Sequence, residues 1–595
     1  MKRIYLIYFI ILISPQVIIQ AVTQAQTLPI IPKQLNPQQL DLNRPPIVPL
    51  PNPQPLPSTP ELNERLLPST KTDPNSNTGV LPKLIQDFEI EGNTKFSDQE
   101  LKAEIIKRIG NFQNKSLTFT QLLQAADAIT QYYLDRKYIT TGAFIPADKQ
   151  EKLEQGIVRI QVLEGRLDEI RIKFPPQKRQ RISNEYVQSR VRSTVKSPLN
   201  LEELREGIQL LTLNPLLRDI QANLSPGTEP GTSDLTLTLE EAPSMGAEVL
   251  LDNNRSPSVG SFRRQFQFNQ GNLTGNGDGL NFTYSNTNGS NLINLSYTLP
   301  INSKGGTLSL NTGLSSSRII ESPFNVLNID ANSQSIDLSI RQPILLKPTR
   351  EFGIGASLGY RVSEATLLNG LTPFPSIGAE ADGKTRVTSL RLFQDALWRG
   401  EKSVIALRSQ FNLGLGFLGG TVNDRGPDSR FISWLGQAQW ITTFAPDNQL
   451  VLRSDLQLAD RGLLPSEQFG LGGQSSVRGY RQDALLNDAG FFASAEYRFP
   501  IWRSKPKSSN SGFVLQAAPF IDFGSGWTVS PQDNLPSELR TLASVGLGLR
   551  LQANDRFFAR IDWGLPLVKL SEPIPGSNRS LQESGLYISL VYKLF

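Results

Sequence analysis

From Met245 to Phe595 the chain is written in period 2. Segments of 9–13 residues alternate apolar and polar side chains, and clusters of Gly, Asn, Asp, Ser and Pro separate them. Ile405, Leu407, Ser409, Phe411 and Leu413 share one face, while Val404, Ala406, Arg408, Gln410 and Asn412 share the other. Likewise Phe491, Ala493, Ala495, Tyr497 and Phe499 oppose Phe492, Ser494, Glu496 and Arg498, and Phe557, Ala559, Ile561 and Trp563 oppose Phe558, Arg560 and Asp562. A soluble sandwich would bury the apolar faces against a second sheet, whereas a membrane barrel turns them to lipid. The barrel is favoured by strand length, because roughly 9–11 tilted residues cross a bilayer. It is also favoured by the charges on the polar faces and by the lack of any helical pattern to cover a sheet. The expected architecture is a sixteen-stranded antiparallel transmembrane β-barrel over residues 244–595. Its strands begin near 245, 259, 279, 291, 306, 334, 352, 384, 402, 430, 448, 489, 512, 540, 556 and 584. A barrel of this size encloses water.

Composition removes most chemistry. The 595 residues contain no cysteine and no histidine. Disulfide frameworks, thiolate nucleophiles, zinc clusters and a Ser-His-Asp triad are therefore excluded. Paired-carboxylate catalysis survives that cut, but no polar constellation supports it, so no catalytic residue, metal or cofactor is expected. A formal net charge of +5 is too small to argue for nucleic acid. The run Gly414-Leu415-Gly416-Phe417-Leu418-Gly419 fits a dinucleotide fingerprint, yet no helix follows it, so it reads as a strand end and a turn.

The N-terminus begins Met1-Lys2-Arg3, continues with ten apolar or aromatic residues from Ile4 to Ile13, and offers Thr23 and Ala25 at cleavage spacing. This reads as a signal peptide over 1–25. Residues 26–82 read as a linker, because thirteen of the 41 prolines fall between 27 and 80. Pro37 speaks against a helix over Lys33–Arg44. Residues 83–165 then read β-α-α-β-β. A strand Leu84–Glu91 precedes a helix Asp98–Arg108 that is capped by Ser97 and Glu100 and expected to bury Leu101, Ile105 and Ile106. A second helix near Thr120–Asp135 and strands Thr140–Ile145 and Gly156–Gly165 complete the unit. Residues 166–243 repeat the order, with helices near Asn184–Val195 and Leu201–Leu213.

Between two barrel strands lies a glycine-rich stretch, 461–488. It holds Leu464-Pro465-Ser466-Glu467-Gln468-Phe469-Gly470-Leu471-Gly472-Gly473-Gln474-Ser475-Ser476-Val477-Arg478-Gly479-Tyr480 and reads as a loop carrying one exposed arginine. Downstream, Phe520-Ile521-Asp522-Phe523-Gly524 ends a strand whose alternation puts Gln516, Phe520 and Asp522 on the polar, lumenal face.

Together, the signal peptide, proline-rich linker, paired β-α-α-β-β domains and sixteen-stranded barrel resemble the ShlB/FhaC/HecB family of two-partner secretion transporters, in the superfamily that includes BamA. The junction Gly156-Ile157-Val158-Arg159-Ile160-Gln161-Val162-Leu163-Glu164-Gly165-Arg166-Leu167 is similar to that family's join between POTRA domains. The resemblance implies POTRA domains at 83–165 and 166–243, in the periplasm of a cell with an outer membrane. It implies that Val477, Arg478, Gly479 and Tyr480 sit on an inner loop, and that Arg478 pairs with Asp522 of the motif Phe520, Asp522, Gly524. It further implies that the barrel passes an unfolded exoprotein, an adhesin or haemolysin-like partner, with the barrel-assembly machinery and outer-membrane lipid as further partners. A candidate cargo groove lies between the second helix and the following strand, at Ile129, Tyr133, Thr141 and Phe144. The alternatives are an insertase of other barrels, a passive porin or an outer-membrane enzyme. The chain ends in Phe595, one register off the apolar face Leu586, Ile588, Leu590, Tyr592 and Leu594 of the last strand.

Overall fold

The computed structural model describes residues 62–64, 84–147, 150, 152–175, 180–445, 447–504, 512–529, 539–570 and 580–595. The expected signal peptide, the segment Lys33–Arg44 and the linker apart from residues 62–64 lie outside them. The first described element, β1 (Leu62–Glu64), is a short strand that pairs with a sheet far along the chain.

The first small unit comprises β2 (Asp87–Glu91), α1 (Asp98–Ile109), α2 (Phe119–Asp135), β3 (Gly142–Phe144) and β4 (Ile157–Leu163). Its sheet runs β2-β4-β3, parallel then antiparallel. Both helices open on full capping boxes: Ser97 with Glu100, and Thr118 with Gln121. Two orphan amides are thereby satisfied at each helix start. Leu101 and Ile105 face the core, but Ile106 is 45% exposed, contrary to expectation. A residue one position on is rotated about 100° around the helix, off the buried stripe. The core joins Phe88, Ile105, Ile129, Tyr133 and Val158.

The second unit repeats the order in β5 (Arg166–Lys173), α3 (Asn184–Thr194), α4 (Leu201–Thr212), β6 (Leu217–Pro226) and β7 (Thr232–Glu241). Its sheet order is β1-β6-β7-β5. The two units meet through backbone contacts. Leu199 N donates to Gly165 O at 2.6 Å and Leu201 N to Lys137 O at 2.9 Å.

The barrel closes on itself with sixteen main strands. They are β8 (Met245–Asp252), β9 (Arg263–Gly271), β10 (Gly279–Asn286), β11 (Ser290–Pro300), β12 (Thr307–Arg318) and β13 (Asp330–Lys347). Next come β14 (Arg350–Leu367), β15 (Lys384–Arg399), β16 (Ser403–Leu415), β17 (Ile432–Ala445) and β18 (Asn448–Ala459). Last are β19 (Ala489–Arg503), β20 (Phe513–Trp527), β21 (Arg540–Ala553), β22 (Phe557–Pro566) and β23 (Leu586–Lys593). Every strand starts within four residues of its expected position, the widest offsets being Arg263 against 259 and Asp330 against 334. Strand lengths depart from the 9–13 residues read in the sequence, since β13 and β14 each have 18. At about 3.4 Å per residue such strands are roughly 60 Å long, more than a tilted crossing of a hydrocarbon core near 30 Å requires. They therefore project beyond the bilayer. The apolar faces point outward, with Ile336, Leu338 and Ile340 on β13 and Leu547 and Leu549 on β21 all exposed.

The second small unit sits under the barrel. Ser183 N donates to Gly275 O at 2.9 Å, Lys347 pairs with Glu206 at 3.1 Å, and the Tyr186 ring fills the space that a side chain at Gly277 would need. The contacts fall on the turn between β9 and β10 and on the end of β13 next to its turn into β14, so the unit is seated against the lumen mouth. Gly414–Gly419 is the end of β16 and a turn, with Leu418 and Gly419 at positive φ.

Candidate functional site

The segment between β18 and β19 turns inward from the outer rim and fills part of the lumen. Phe469–Leu471 and Leu485–Asn487 pair as a small hairpin that carries Val477-Arg478-Gly479-Tyr480 at its far end. Apolar residues hold the hairpin to the wall: Phe469, Leu471, Val477, Tyr480 and Leu485 pack with Leu435, Phe492 and Leu542 of the strands. Polar anchors fix its base. The Asp488 carboxylate accepts from Leu463 N at 2.9 Å, Val529 N at 2.8 Å and Gln468 Nε2 at 3.1 Å.

Arg478 is only 3% exposed, not the exposed loop arginine suggested by the sequence. A guanidinium buried this deeply persists only when it is paired, because desolvation costs several kcal/mol. Its Nε donates to Asp522 Oδ2 at 2.7 Å and its Nη2 to Asp522 Oδ1 at 2.8 Å, a bidentate fork. Its own backbone N–H adds a third bond to Asp522 at 3.1 Å. Nη1 reaches Glu496 at 2.5 Å and lies 3.6 Å from Asp562. The guanidinium also lies over the Phe520 ring, with Cζ 3.3 Å from the ring centroid. Thus Phe520 and Asp522 grip the same side chain from one face of β20.

The glycines of both motifs are positions of close approach. Gly479 has φ +96°, and its backbone lies against Gly564, where a Cβ would come within 2.6 Å of Gly479 N. Gly524 leaves the space that Val477 occupies, since a Cβ there would meet Val477 Cγ2 at 2.8 Å. Tyr480 Oη sits 2.8 Å from the carbonyl oxygens of Ala543 and Val568. The sequence expectation thus brought Val477, Arg478, Gly479, Tyr480, Phe520, Asp522 and Gly524 to one place.

Several members of the site were not singled out from the sequence. Arg550 bridges Glu496 at 3.0 Å and Asp562 at 2.7 Å, Arg560 pairs with Asp562 at 2.5 Å, and Arg498 with Glu496 at 2.7 Å. Tyr587 of the last strand accepts from Gly479 N at 3.0 Å and donates to Tyr480 O. Alternation alone puts Glu496, Arg498, Arg560 and Asp562 on the lumenal face, so their direction was readable. Their meeting depends on cross-strand register, for which one sequence carries no signal.

On the opposite side the lumen is open. A cavity of about 1330 Å³ runs from Leu213, Pro215 and Leu217 of the second small unit to Glu467 and Phe469 beneath the loop. Its wall carries Arg341, which pairs with Glu351 at 2.7 Å and with Asp395, and Arg391, which reaches Glu467 at 3.1 Å. The seam between β23 and β8 is short, with five register pairs from Ser589↔Asp252 to Lys593↔Glu248. Asn253 extends it by a side-chain clasp, accepting from Ile588 N at 2.7 Å and donating to Leu586 O at 2.9 Å.

The candidate cargo groove needs correction. Ile129 and Tyr133 are fully buried core residues, and Thr141 is buried, its hydroxyl accepting from Gly165 N at 3.1 Å. Only Phe144, 49% exposed, faces outward. The helix and strand pack directly against each other, so the apolar stripe read as a groove is the core of the unit. The strand is also shorter than expected, three residues, and the N–H of Ala143 is taken by Thr130 Oγ1 at 2.9 Å.

Comparison with known proteins finds relatives of the same family and fold. A family described as haemolysin secretion/activation protein ShlB/FhaC/HecB matches residues 231–551, and the ShlB-type POTRA domain matches residues 84–165. The chain is 24% identical over 487 residues to the heme/hemopexin transporter protein HuxB of Haemophilus influenzae (strain 86-028NP), covering 78% of this chain and 80% of that protein. It is 24% identical over 407 residues to the outer membrane transporter CdiB of Dickeya dadantii (strain 3937), covering 66% and 68%. Its fold is similar to that of CdiB from Escherichia coli, with a TM-score of 0.63 at 20% identity over 89% of this chain and 94% of that one. CdiB from Acinetobacter baumannii gives a TM-score of 0.56 at 18% identity over 92% and 94%. The chain belongs to the haemolysin secretion/activation protein ShlB/FhaC/HecB family, with its barrel in the outer membrane and its POTRA domains in the periplasm.

Proposed function

We propose that this chain is the outer-membrane pore of a two-partner system, receiving one unfolded exoprotein in the periplasm and passing it to the cell surface. The observation that carries the reading is a continuous cavity, lined at one end by Leu213–Leu217 of the second POTRA unit and at the other by the underside of the inner loop. A folded domain does not fit in about 1330 Å³, whereas an extended chain does. The division into 1–25, 26–82, 83–165, 166–243 and 244–595 then assigns export, spacing, capture, delivery and conduction to successive parts. Arg478 and Asp522 act as a latch that keeps the loop in the pore until cargo arrives. No step calls for catalysis, a cofactor, a metal or nucleic acid. The barrel-assembly machinery inserts the barrel, lipid contacts its apolar girdle, and the cargo is an adhesin or haemolysin-like exoprotein.

Deletion of residues 83–242 tests this. Secretion of the partner is expected to stop while the barrel still reaches the outer membrane. Normal secretion by the truncated barrel overturns capture by the POTRA units. Depletion of the whole chain should remove one exoprotein from the surface, and a general fall in outer-membrane barrels would instead favour an assembly factor.

A further inference from the structure

The outer end of the β15–β16 ladder is interrupted. Pairing runs as far as Thr388↔Leu415, and the chain then leaves the sheet over Gly416-Phe417-Leu418-Gly419-Gly420. It returns at Thr421, whose N–H donates at 2.8 Å to the carbonyl of Arg386, the next position on the same face of β15. The excursion folds outward. Ser389, Arg391 and Phe393 line the lumen, so Thr388 belongs with the exposed Leu392 on the outer face. Thr388 is nevertheless only 2% exposed, and its hydroxyl donates to Leu418 O at 3.3 Å. Gly419 lies beside the hydroxyl of Tyr360, the register partner of Thr388 on β14. The base of the excursion is held firmly. Ser429 donates through its N–H to Thr421 O and through its hydroxyl to Leu415 O, both at 2.9 Å, and Thr421 Oγ1 donates to Glu380 at 2.6 Å.

What this rigid base presents is apolar. Phe417 is 61% exposed and Leu418 64%. Leu418 also has φ +55°, a conformation that leucine rarely adopts, and at that exposure the protein returns little packing for it. The depth of the tip can be read from the register. Trp398 of β15 and Trp440 of β17 flank Ile405 of β16 at one level near the periplasmic rim. Thr388 lies ten residues from Trp398 along β15. At about 3.3 Å per residue and a tilt of about 40°, that separation is roughly 25 Å of height, which matches the apolar band that aromatic girdles flank on outer-membrane barrels. Tyr360 marks the outer girdle. One step beyond it the outward-facing positions become Arg386, Lys384 and Glu364. Phe417 and Leu418 therefore sit at the line where the apolar band gives way to charge.

We infer that the tip Phe417–Leu418 is a lipid anchor that enters the acyl-chain region of the outer leaflet. Hydrocarbon is the occupant because the tip is continuous with the lipid-facing band: it follows Phe411, Leu413 and Leu415 on the outer face of β16 and covers the outer face of β15 at Thr388. Taking two apolar side chains out of water is favourable in proportion to the area covered. The anchor fixes the depth of this side of the barrel and also bears on the loop that rises from it. Asn423 Nδ2 donates to Gly378 O at 3.0 Å, and Gly378 packs against Leu464 at the base of the inner loop. Lipid contact at the tip does not depend on what the pore conducts.

The chain has no native cysteine, so single nitroxide labels can be placed on the full-length protein. Leu418→Cys and, separately, Phe417→Cys are labelled and reconstituted in dioleoylphosphatidylcholine vesicles. Leu392→Cys on the lipid-facing wall and Asp424→Cys on the exposed part of the same loop serve as references. Collision rates with oxygen, which enters hydrocarbon, and with nickel ethylenediaminediacetate, which stays in water, are measured by power saturation. The oxygen-to-nickel ratio at 418 and at 417 is expected to lie near that at 392 and to exceed that at 424 by about tenfold, because a polar chelate is excluded from an apolar phase. The Phe417→Cys variant keeps the leucine at its positive φ, so it reports even where a label at 418 disturbs the turn. Ratios at both positions equal to that at 424 overturn the anchor and leave the tip in water, free for a protein partner outside the cell.

Discussion

The molecule pins a loop to a strand in the lumen and another in the first POTRA unit, and these two fastenings use different chemistry. In the lumen, Asp522 and the nearby Gly524 on β20 hold Val477 and Arg478. In the POTRA unit, Glu164 and the adjacent Gly165 follow β4, and Glu164 accepts from Thr94 N at 2.8 Å, Lys95 N at 2.9 Å and Tyr133 Oη at 2.6 Å. Both combine a carboxylate with a glycine whose missing side chain admits a neighbour. The lumenal carboxylate meets a cation in a fully buried site, while the periplasmic one meets neutral donors and stays half-buried. A buried ion pair adds little net stability, but removing one partner strands the other. That behaviour suits a fastening that must hold firmly and release as a unit. Neutral hydrogen bonds to a half-buried carboxylate suit a fastening that stays closed.

The largest effect should come from breaking the lumenal pair. Asp522→Asn keeps the shape but leaves Arg478, Arg498, Arg550 and Arg560 facing two carboxylates, Glu496 and Asp562, where wild type has three. Loss of one partner from a buried pair costs about 3–5 kcal/mol. The expected outcome is a loop that leaves the lumen much of the time, read in planar bilayers as frequent high-conductance openings of a barrel that still inserts. Unchanged conductance in the variant would remove the contrast between the two fastenings.

The two glycines sharpen the comparison next. A Cβ at Gly165 meets Thr140 Oγ1 and, at 2.8 Å, the Thr140 carbonyl carbon, which belongs to the backbone. A Cβ at Gly524 meets only the tips of Val477 and Leu471 at 2.8 and 2.9 Å. Side-chain tips rotate away cheaply and backbone does not. Gly165→Ala is therefore expected to cost about 1–3 kcal/mol as an overpacking change, and Gly524→Ala less. Proteolysis of the POTRA region in the full-length protein should accelerate in the first variant alone. The same treatment leaves the barrel intact in both.

How far the sequence reached differs between these sites for a physical reason. Alternation fixes which face of a strand a residue occupies, so Asp522, Glu496 and Asp562 could all be assigned to the lumen. It says nothing about which strands are neighbours across a register, so the four-arginine cluster and Tyr587 stayed hidden. The Arg478–Asp522 pairing entered through family resemblance, because a contact spanning 44 residues leaves no local trace. Starts of strands were legible to within four residues since turn residues punctuate each hairpin. The groove failed because an apolar stripe on a helix beside a strand has the same pattern whether it binds cargo or fills a core. Here the close packing of α2 on β3 made it core, with Ile129 and Tyr133 inside. The β1 contact was equally out of reach: three residues in a proline-rich run carry no periodicity, and only the gap between Pro60 and Pro68 marks the place.

The smallest effect tests the periplasmic fastening by pH. Burial pushes the Glu164 carboxyl up, but hydrogen bonds from the Thr94 and Tyr133 side chains and from the Thr94 and Lys95 amides outweigh it and hold the group below the ordinary glutamate range. A folded-state value lower than the unfolded one, which is near 4.3, gives stability that is complete above the unfolded value. It is lost as pH falls through the folded value. Glu164→Gln removes the charge and with it this dependence, at a cost of about 1 kcal/mol once solvent exposure is allowed for. Hydrogen exchange at the Thr94 and Lys95 amides of the full-length protein gives the readout. In wild type, protection is expected to be steady from pH 7 to about 5 and to fall away below roughly 4. In Glu164→Gln it should start lower and stay level across that range. A parallel decline in both proteins would mean that the acid-sensitive group lies elsewhere, and that the loop at Thr94 is held by its apolar neighbours Phe96 and Tyr138 rather than by the carboxylate.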